Sequence, residues 1–168
     1  GEAGQFIHAY RSMWLPEELL SIERRPQLTD AIVAGSAEWS LSLHVNKGLA
    51  GGSPQAIDLS RQTATNPAML GAFALLICAA DGSPAWPGIK GYEPDPEAGR
   101  VKSKAVGRAV APFEAIVPHA GSYMSEADYF GVDWRQAYWG PHYARLASIK
   151  RQYDPTNLFR GHHTVEPS

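Results

Sequence analysis

The sequence predicts an α+β fold, a sheet covered by helices on one side and open on the other, and three stretches carry that expectation. Residues 37–45, AEWSLSLHV, alternate: Trp39, Leu41, Leu43 and Val45 point one way while Glu38, Ser40, Ser42 and His44 point the other, the period-two signature of a half-buried strand. Residues 73–80, FALLICAA, form a continuous apolar run of strand length, as a central strand covered on both faces requires. From Lys102 to Val117, Val106, Val110, Phe113 and Val117 share one face of an amphipathic helix. A strand with one polar face argues for helices on a single side of the sheet, which leaves the other face free to line a cavity.

Taken in order, residues 1–15 read as a strand or extended lead-in containing Phe6, Ile7, Tyr10, Met13 and Trp14. Pro16 with Glu17 and Glu18 reads as a helix start, with Leu19, Leu20 and Ile22 on its buried side and Pro26 as its break. A second short helix is expected from Thr29 or Asp30 through Ala31, Ile32 and Val33, ending at Gly35. Residues 1–35 are thus a helical lead-in and 36–168 the body of a single domain. After the strand at 37–45 comes NKGLAGGSP, which lacks the Lys-Ser/Thr ending of a phosphate loop and reads as a flexible turn. Ser53-Pro54 opens a helix through Ala56, Ile57 and Leu59 to Arg61, and Asn66-Pro67 marks its exit.

Residues 81–101, rich in Pro, Gly and charge, are a long loop with Trp86 and Tyr92 as anchors. Pro112 predicts a kink or break in the helix that follows. A strand is expected at GSYMSE, 121–126. Gly140 suits the cap, and Pro141 the first turn, of a last helix whose Tyr143, Leu146, Ile149 or Lys150, and Tyr153 form one buried stripe. Lys150 and Arg151 complement the dipole of its final turn, Asp154-Pro155 ends it, and Leu158 and Phe159 are expected to anchor the next loop by burial.

Composition narrows the function classes. The chain has 168 residues, 44% of them hydrophobic, enough for one domain with a real core. A net charge of −2 gives no footprint for nucleic acid or anionic membrane, and no apolar run approaches the roughly 20 residues that span a bilayer. The lone Cys78 excludes an intrachain disulfide; within an apolar run it is a small core residue and a poor nucleophile. His162 and His163 are adjacent on an extended tail, point apart, and lack an acid or cysteine partner at ligand spacing, so no metal is expected. There is no Gly-x-Ser-x-Gly elbow, His-Glu-x-x-His helix or Gly-x-Gly-x-x-Gly loop. With neither an initiator methionine nor signal-peptide character at GEAGQF, the chain is expected to be a processed piece or one part of a larger product.

The stretch from Gly121 to Pro167 is the most specific. Its Trp139-Gly140-Pro141-His142-Tyr143-x-x-Leu146, Ile149-Lys150 and Tyr153-Asp154-Pro155-x-x-Leu158-Phe159 resemble the C-terminal segment of the FAD-linked oxidases of the berberine bridge enzyme type, within the vanillyl-alcohol oxidase superfamily. The resemblance extends with less specificity back to residue 36. It implies a substrate domain: an antiparallel sheet, backed by helices, whose open face covers the flavin ring. It also implies that FAD is held mainly by an N-terminal portion for which nothing in these residues can stand in. In the family the Trp139–Tyr143 corner lies against the flavin, so Trp139, Gly140, His142 and Tyr143 are the expected cofactor contacts, with His142 where many relatives carry Asn.

A Tyr-x-Asn-Tyr type segment reaches the active site in that family, where a tyrosine or an acid takes the substrate proton while the flavin accepts hydride. Here Tyr123-Met124-Ser125-Glu126 aligns with it: Tyr123 matches, Ser125 replaces Asn, and Glu126 stands where some members carry Tyr. Tyr123, Glu126 and His44 are therefore the catalytic candidates, His44 because imidazole titrates near neutrality. The substrate-binding candidates are Ser40, Ser42, His44 and Ser125, with either Ser122 and Met124 or Tyr123 and Ser125 facing the cavity. Two other readings stay open. One is a flavin-free remnant catalysing a cyclisation or isomerisation through Glu126, His44 or Tyr123; the other is a small-molecule-binding domain that dimerises through an exposed apolar face.

Overall fold

A computed structural model of the chain describes residues 4–45 and 52–168, so most of the expected glycine-rich loop lies outside the described residues. Strands β1 (Phe6–Pro16) and β2 (Ser42–Val45) pair antiparallel with the two edges of β3 (Ala72–Gly82), in the order β1-β3-β2. The apolar run of β3 is central because its side chains find cover on both faces. Its register sets Met13 opposite Leu76 and Leu15 opposite Ala74, and this face meets helices α1 (Arg25–Glu38) and α3 (Pro96–Ile116). Leu15, Leu19, Leu76, Cys78, Val106 and Phe113 are fully enclosed there. The antiparallel α+β architecture with helices on one face is therefore the one expected.

Several boundaries differ, each for a local reason. Pro26 opens α1 instead of breaking a helix, since a proline in the first turn gives up no intrahelical bond. Ahead of it, Glu17–Leu20 makes only a single 3-10 turn. Gly35 is no cap but the point where α1 meets α3: a Cβ there would lie 2.5 Å from the Ala109 carbonyl oxygen. The helix runs on to Glu38, which pairs with Arg108 of α3 at 2.6 Å, and Trp39 Nε1 donates to Ala79 O at 2.8 Å. The strand expected at 37–45 shrinks accordingly to Ser42–Val45.

Helix α2 (Pro54–Ser60) starts as expected, with Ser53 Oγ accepting from Ala56 N at 3.2 Å. Trp86 and Tyr92 anchor their loop as an edge-on pair 5.4 Å apart. Helix α3 begins at Pro96, ahead of Lys102, because the Asp95 carboxylate accepts from Glu97 N and Ala98 N; it continues through Pro112 without a break. The segment 121–126 is not a strand. It makes one ladder-like bond to β1, Trp14 N to Gly121 O at 3.3 Å, then turns through Glu126 N to Tyr123 O at 3.0 Å.

Two short helices close the chain, α4 (Trp134–Trp139) and α5 (Tyr143–Tyr153), joined by the turn Gly140–His142. The buried side of α5 centres on Ala147, whereas Tyr153 is 79% exposed. Leu158 and Phe159, expected to be buried, are 74% and 76% exposed, because the turn that carries them aims them away from the chain.

The glycine contact between α1 and α3 sets an expected outcome. Gly35→Ala should cost about 1–3 kcal/mol through overpacking against a backbone atom that cannot rotate away. Phe113→Ala should cost about 3–5 kcal/mol through loss of its buried ring. Urea denaturation midpoints measure both.

Candidate functional site

Alternation assigns the sheet face opposite the helices to Tyr10, Ser12 and Trp14 of β1, Leu75, Ile77 and Ala79 of β3, and Ser42 and His44 of β2. Two cross-strand rows result, Ser42–Ile77–Ser12 and His44–Leu75–Trp14, each spanning roughly 10 Å at the usual strand spacing. Apolar side chains floor the middle and polar ones stand at the edges. His44 Nε2 lies 3.0 Å from Ser42 Oγ on the exposed β2. Across the sheet, Ser12 Oγ accepts from Tyr123 N at 3.1 Å and meets Ser122 Oγ at 2.9 Å. The first row thus runs from Ser42 to the Tyr123 backbone.

The second row ends on a hub that the sequence presented only as a helix exit. Asn66 is 6% exposed. Its Nδ2 donates to Ala137 O at 2.8 Å, and its Oδ1 accepts from Ala68 N at 3.0 Å. Glycines on two other segments close around the amide: a Cβ on Gly121 would lie 3.0 Å from Nδ2, and one on Gly140 2.9 Å from Oδ1. Both glycines have positive φ, +78° and +53°, so a side chain there would meet backbone strain as well as the amide. The same Gly121 Cβ position is 3.3 Å from Trp14 Cδ1. Asn66 therefore joins the Tyr123 segment to the Gly140 corner, and Gly121 carries the connection on to β1.

At that corner Trp139 Nε1 and His142 Nε2 are buried with no hydrogen-bond partner among the described residues. Tyr143 turns toward the chain's end: its hydroxyl accepts from Arg135 Nε at 3.1 Å, and its ring stands edge-on to Trp134 at 5.6 Å. Asp154 explains the Tyr-Asp-Pro-x-x-Leu-Phe pattern. Its carboxylate accepts from Lys150 Nζ, from Leu158 N at 2.7 Å and from Phe159 N at 3.0 Å. The Lys150 ammonium, followed by these two amides, holds its pKa below the usual carboxylate range.

The remaining candidates are placed as follows. Ser40 is exposed between α1 and β2, where its carbonyl accepts from the Cys78 thiol at 3.4 Å. Burial pushes that thiol up to about 11, so it stays protonated and unreactive. Ser125 is exposed and Glu126 half-buried on the turn after Tyr123. A separate hollow of about 520 Å³ opens between the β1 edge, the second half of α3 and the 118–138 segment; it takes in Ser12 and Ser122 but none of the catalytic or cofactor-contact candidates. In it Arg11 is held between Asp128 at 3.0 Å and Glu114 at 3.4 Å. Among the described residues no group of three acid, His or Cys side chains converges at metal-binding distance, and no helix is long and apolar enough to cross a membrane.

Residues 100–166 match the family model described as berberine and berberine like. An FAD-linked oxidoreductase of uncharacterised function from Arthroderma benhamiae is 42% identical over 67 residues, 40% of this chain and 12% of that protein. A VAO-type flavoprotein oxidase of Thermothelomyces thermophilus is 29% identical over 86 residues, 51% of this chain and 14% of its own length. The fold matches a VAO-type flavoprotein from Myceliophthora thermophila C1 with a TM-score of 0.66 at 20% identity, over 93% of this chain and 26% of that one. A chitooligosaccharide oxidase matches with a TM-score of 0.62 at 16% identity, over 98% of this chain and 33% of that one. The chain thus has the fold of one part of these flavoproteins and spans a third or less of their length.

The hub and the turn each yield a measurable expectation. Asn66→Ala removes one of the two donors to Ala137 O, which keeps Ser122 N, and the acceptor of Ala68 N, and should lower stability by about 1–2 kcal/mol, seen in denaturant titration. Since Asp154 titrates lower in the folded chain than in the unfolded one, its contribution is present above the ordinary carboxylate value near 3.9 and is lost as pH falls through the folded value. Thermal midpoints of the wild type should fall on acidification below about pH 4. Those of Asp154→Asn should start lower and fall less.

Proposed function

We propose that this chain is the C-terminal, substrate-covering part of an FAD-dependent oxidase, completed by a flavin-holding portion that lies outside these residues. The observation that carries the reading is a pair of neighbouring features joined through Asn66. One is the sheet face opposite the helices, exposed at Ser42 and His44 and ending at the Tyr123 backbone; the other is a corner whose Trp139 Nε1 and His142 Nε2 are buried without partners. Buried polar nitrogens left unpaired are costly, so such a corner fits a group that arrives from elsewhere. Gly140, at positive φ, lacks the Cβ that would meet Asn66, which lets the corner close on that amide, and Trp139, His142 and Tyr143 flank it.

A bound flavin would supply the two-electron acceptor and pass the electrons on to O2. This chain would orient the substrate and move a proton. Tyr123, fixed by its amide on Ser12, or Glu126 on the next turn takes the proton from a substrate hydroxyl or amine. His44, paired with Ser42, stands at the opposite edge as the third candidate, and Ser40, Ser42 and Ser125 offer hydroxyls for orientation. A substrate spanning these edges over the Leu75–Ile77 floor is a small alcohol, sugar or secondary metabolite, and the fold shared with a chitooligosaccharide oxidase favours a polyhydroxylated one.

The exposed Ile149, Tyr153, Leu158 and Phe159 give the missing portion an apolar face to cover. The same patch suits a second copy of the chain, the other reading it favours.

Purification of the full polypeptide from its native source should give a flavin spectrum and a native mass above that of this chain. In that protein Tyr123→Phe or Glu126→Gln should lower turnover about 10²- to 10⁴-fold with flavin content unchanged. A colourless, folded protein that takes up no FAD defeats the oxidase reading; if it also sediments as a dimer, the pairing of copies takes its place.

A further inference from the structure

The segment after α5 is fastened to the chain by rings. Tyr129 and His162 stack with centroids 3.8 Å apart, His162 and His163 at 3.7 Å, and His163 and Trp134 at 5.1 Å; the Arg135 guanidinium lies 4.3 Å from the Trp134 ring centre. Neighbours on an extended chain would point apart. Here His163 sits at a φ of +55°, which turns the backbone and brings both imidazoles into one column. Polar contacts complete the fastening. A ring nitrogen of His162 meets Tyr129 O at 2.5 Å, His163 Nδ1 lies 3.4 Å from the Tyr138 hydroxyl, and Glu166 pairs with Arg135.

The column shares Trp134 with the lining of the 520 Å³ hollow, where Phe130 and Tyr138 stand beside it. The hollow itself points to no ligand, since its Arg11 is already neutralised by Asp128 and Glu114. What the column adds is sensitivity to protons. Two neutral imidazoles stack favourably, whereas two imidazolium rings at this spacing repel one another with a guanidinium close by.

We propose that His163 is the proton-operated element of a latch: neutral, its stack between His162 and Trp134 holds residues 161–166 against α4; charged, it releases them. The groups facing the pair decide the sign. Burial, followed by His162, lowers the His163 pKa, and Arg135 adds to this; the Asp128 carboxylate opposes it, and the Glu166 charge is taken up by Arg135. Tyr129, Tyr138 and Tyr143 complete the surroundings, with the Tyr138 phenol pushed up by its own burial and held protonated. Because the latched state binds protons less readily than the released one, latching is complete above the ordinary imidazole value near 6.5 and weakens as pH falls through the latched value.

The latch does not depend on the flavin reading. Hydrogen exchange of the 161–166 amides in the full polypeptide tests it, followed by mass spectrometry between about pH 5 and 8 and corrected with a free peptide of the same sequence. Protection should hold above about pH 6.5 and fall by up to about tenfold per pH unit below it. His163→Phe keeps a stacking ring without a titrating proton and should make protection independent of pH. His162→Asn removes the repelling neighbour and should make the loss shallower. Constant protection in the wild type, or an undiminished pH dependence in either variant, overturns the proposal.

Discussion

The pairing of β3 on both edges is the constraint on which the rest of the structure depends. Its one face packs Leu76 and Cys78 against α1 and α3, and its other carries Leu75 and Ile77 between Ser42 and His44 on one side and Ser12 and Trp14 on the other. Period two makes these assignments inseparable: a slip of one residue would send the helix-facing side chains into the open face and the site's polar edges into the core. Thirteen of the described residues form one continuous core cluster, and those of β1 and β3 within it alternate along their strands, so the register is specified wherever one face is buried.

Around that sheet the structure repeatedly uses small residues and buried amides where larger side chains would clash. Gly35 brings α1 onto α3, and Gly121 and Gly140 close on Asn66. Asn66 is instructive because a buried primary amide can donate and accept at once, satisfying Ala137 O and Ala68 N from one side chain. Asp154 plays the corresponding part at the end of α5, where one carboxylate serves an ammonium and two amides. The turn is tied by these three bonds, and its apolar Leu158 and Phe159 still face outward.

Legibility from sequence followed physical range. β3, β1, the start of α2, the amphipathic α3 and the Trp86–Tyr92 anchor were legible because periodicity and turn residues act over a few positions. The polar direction of Ser42 and His44 was legible for the same reason, although Glu38 and Ser40 fell outside the strand once α1 ran on. The strand expected at 121–126 failed because its backbone bonds go to Ala137 and Ser12, partners distant in sequence. Burial of Leu158 and Phe159 failed because hydrophobicity states a preference without supplying the surface that meets it. Asn66 was read as punctuation, since nothing local distinguishes a turn asparagine from one that ties three segments together.

The sequence by itself determined the α+β class, the central strand, the polar side of β2 and the resemblance of the final segment to an oxidase ending, all of which rest on neighbours a few residues apart. Only the tertiary structure decided that Tyr123 meets Ser12, that Asn66 joins Gly121 to the Gly140 corner, and that two adjacent histidines stack in one column. Those outcomes depend on which distant surfaces close over one another, and on a left-handed backbone at His163 that no propensity of that residue demands.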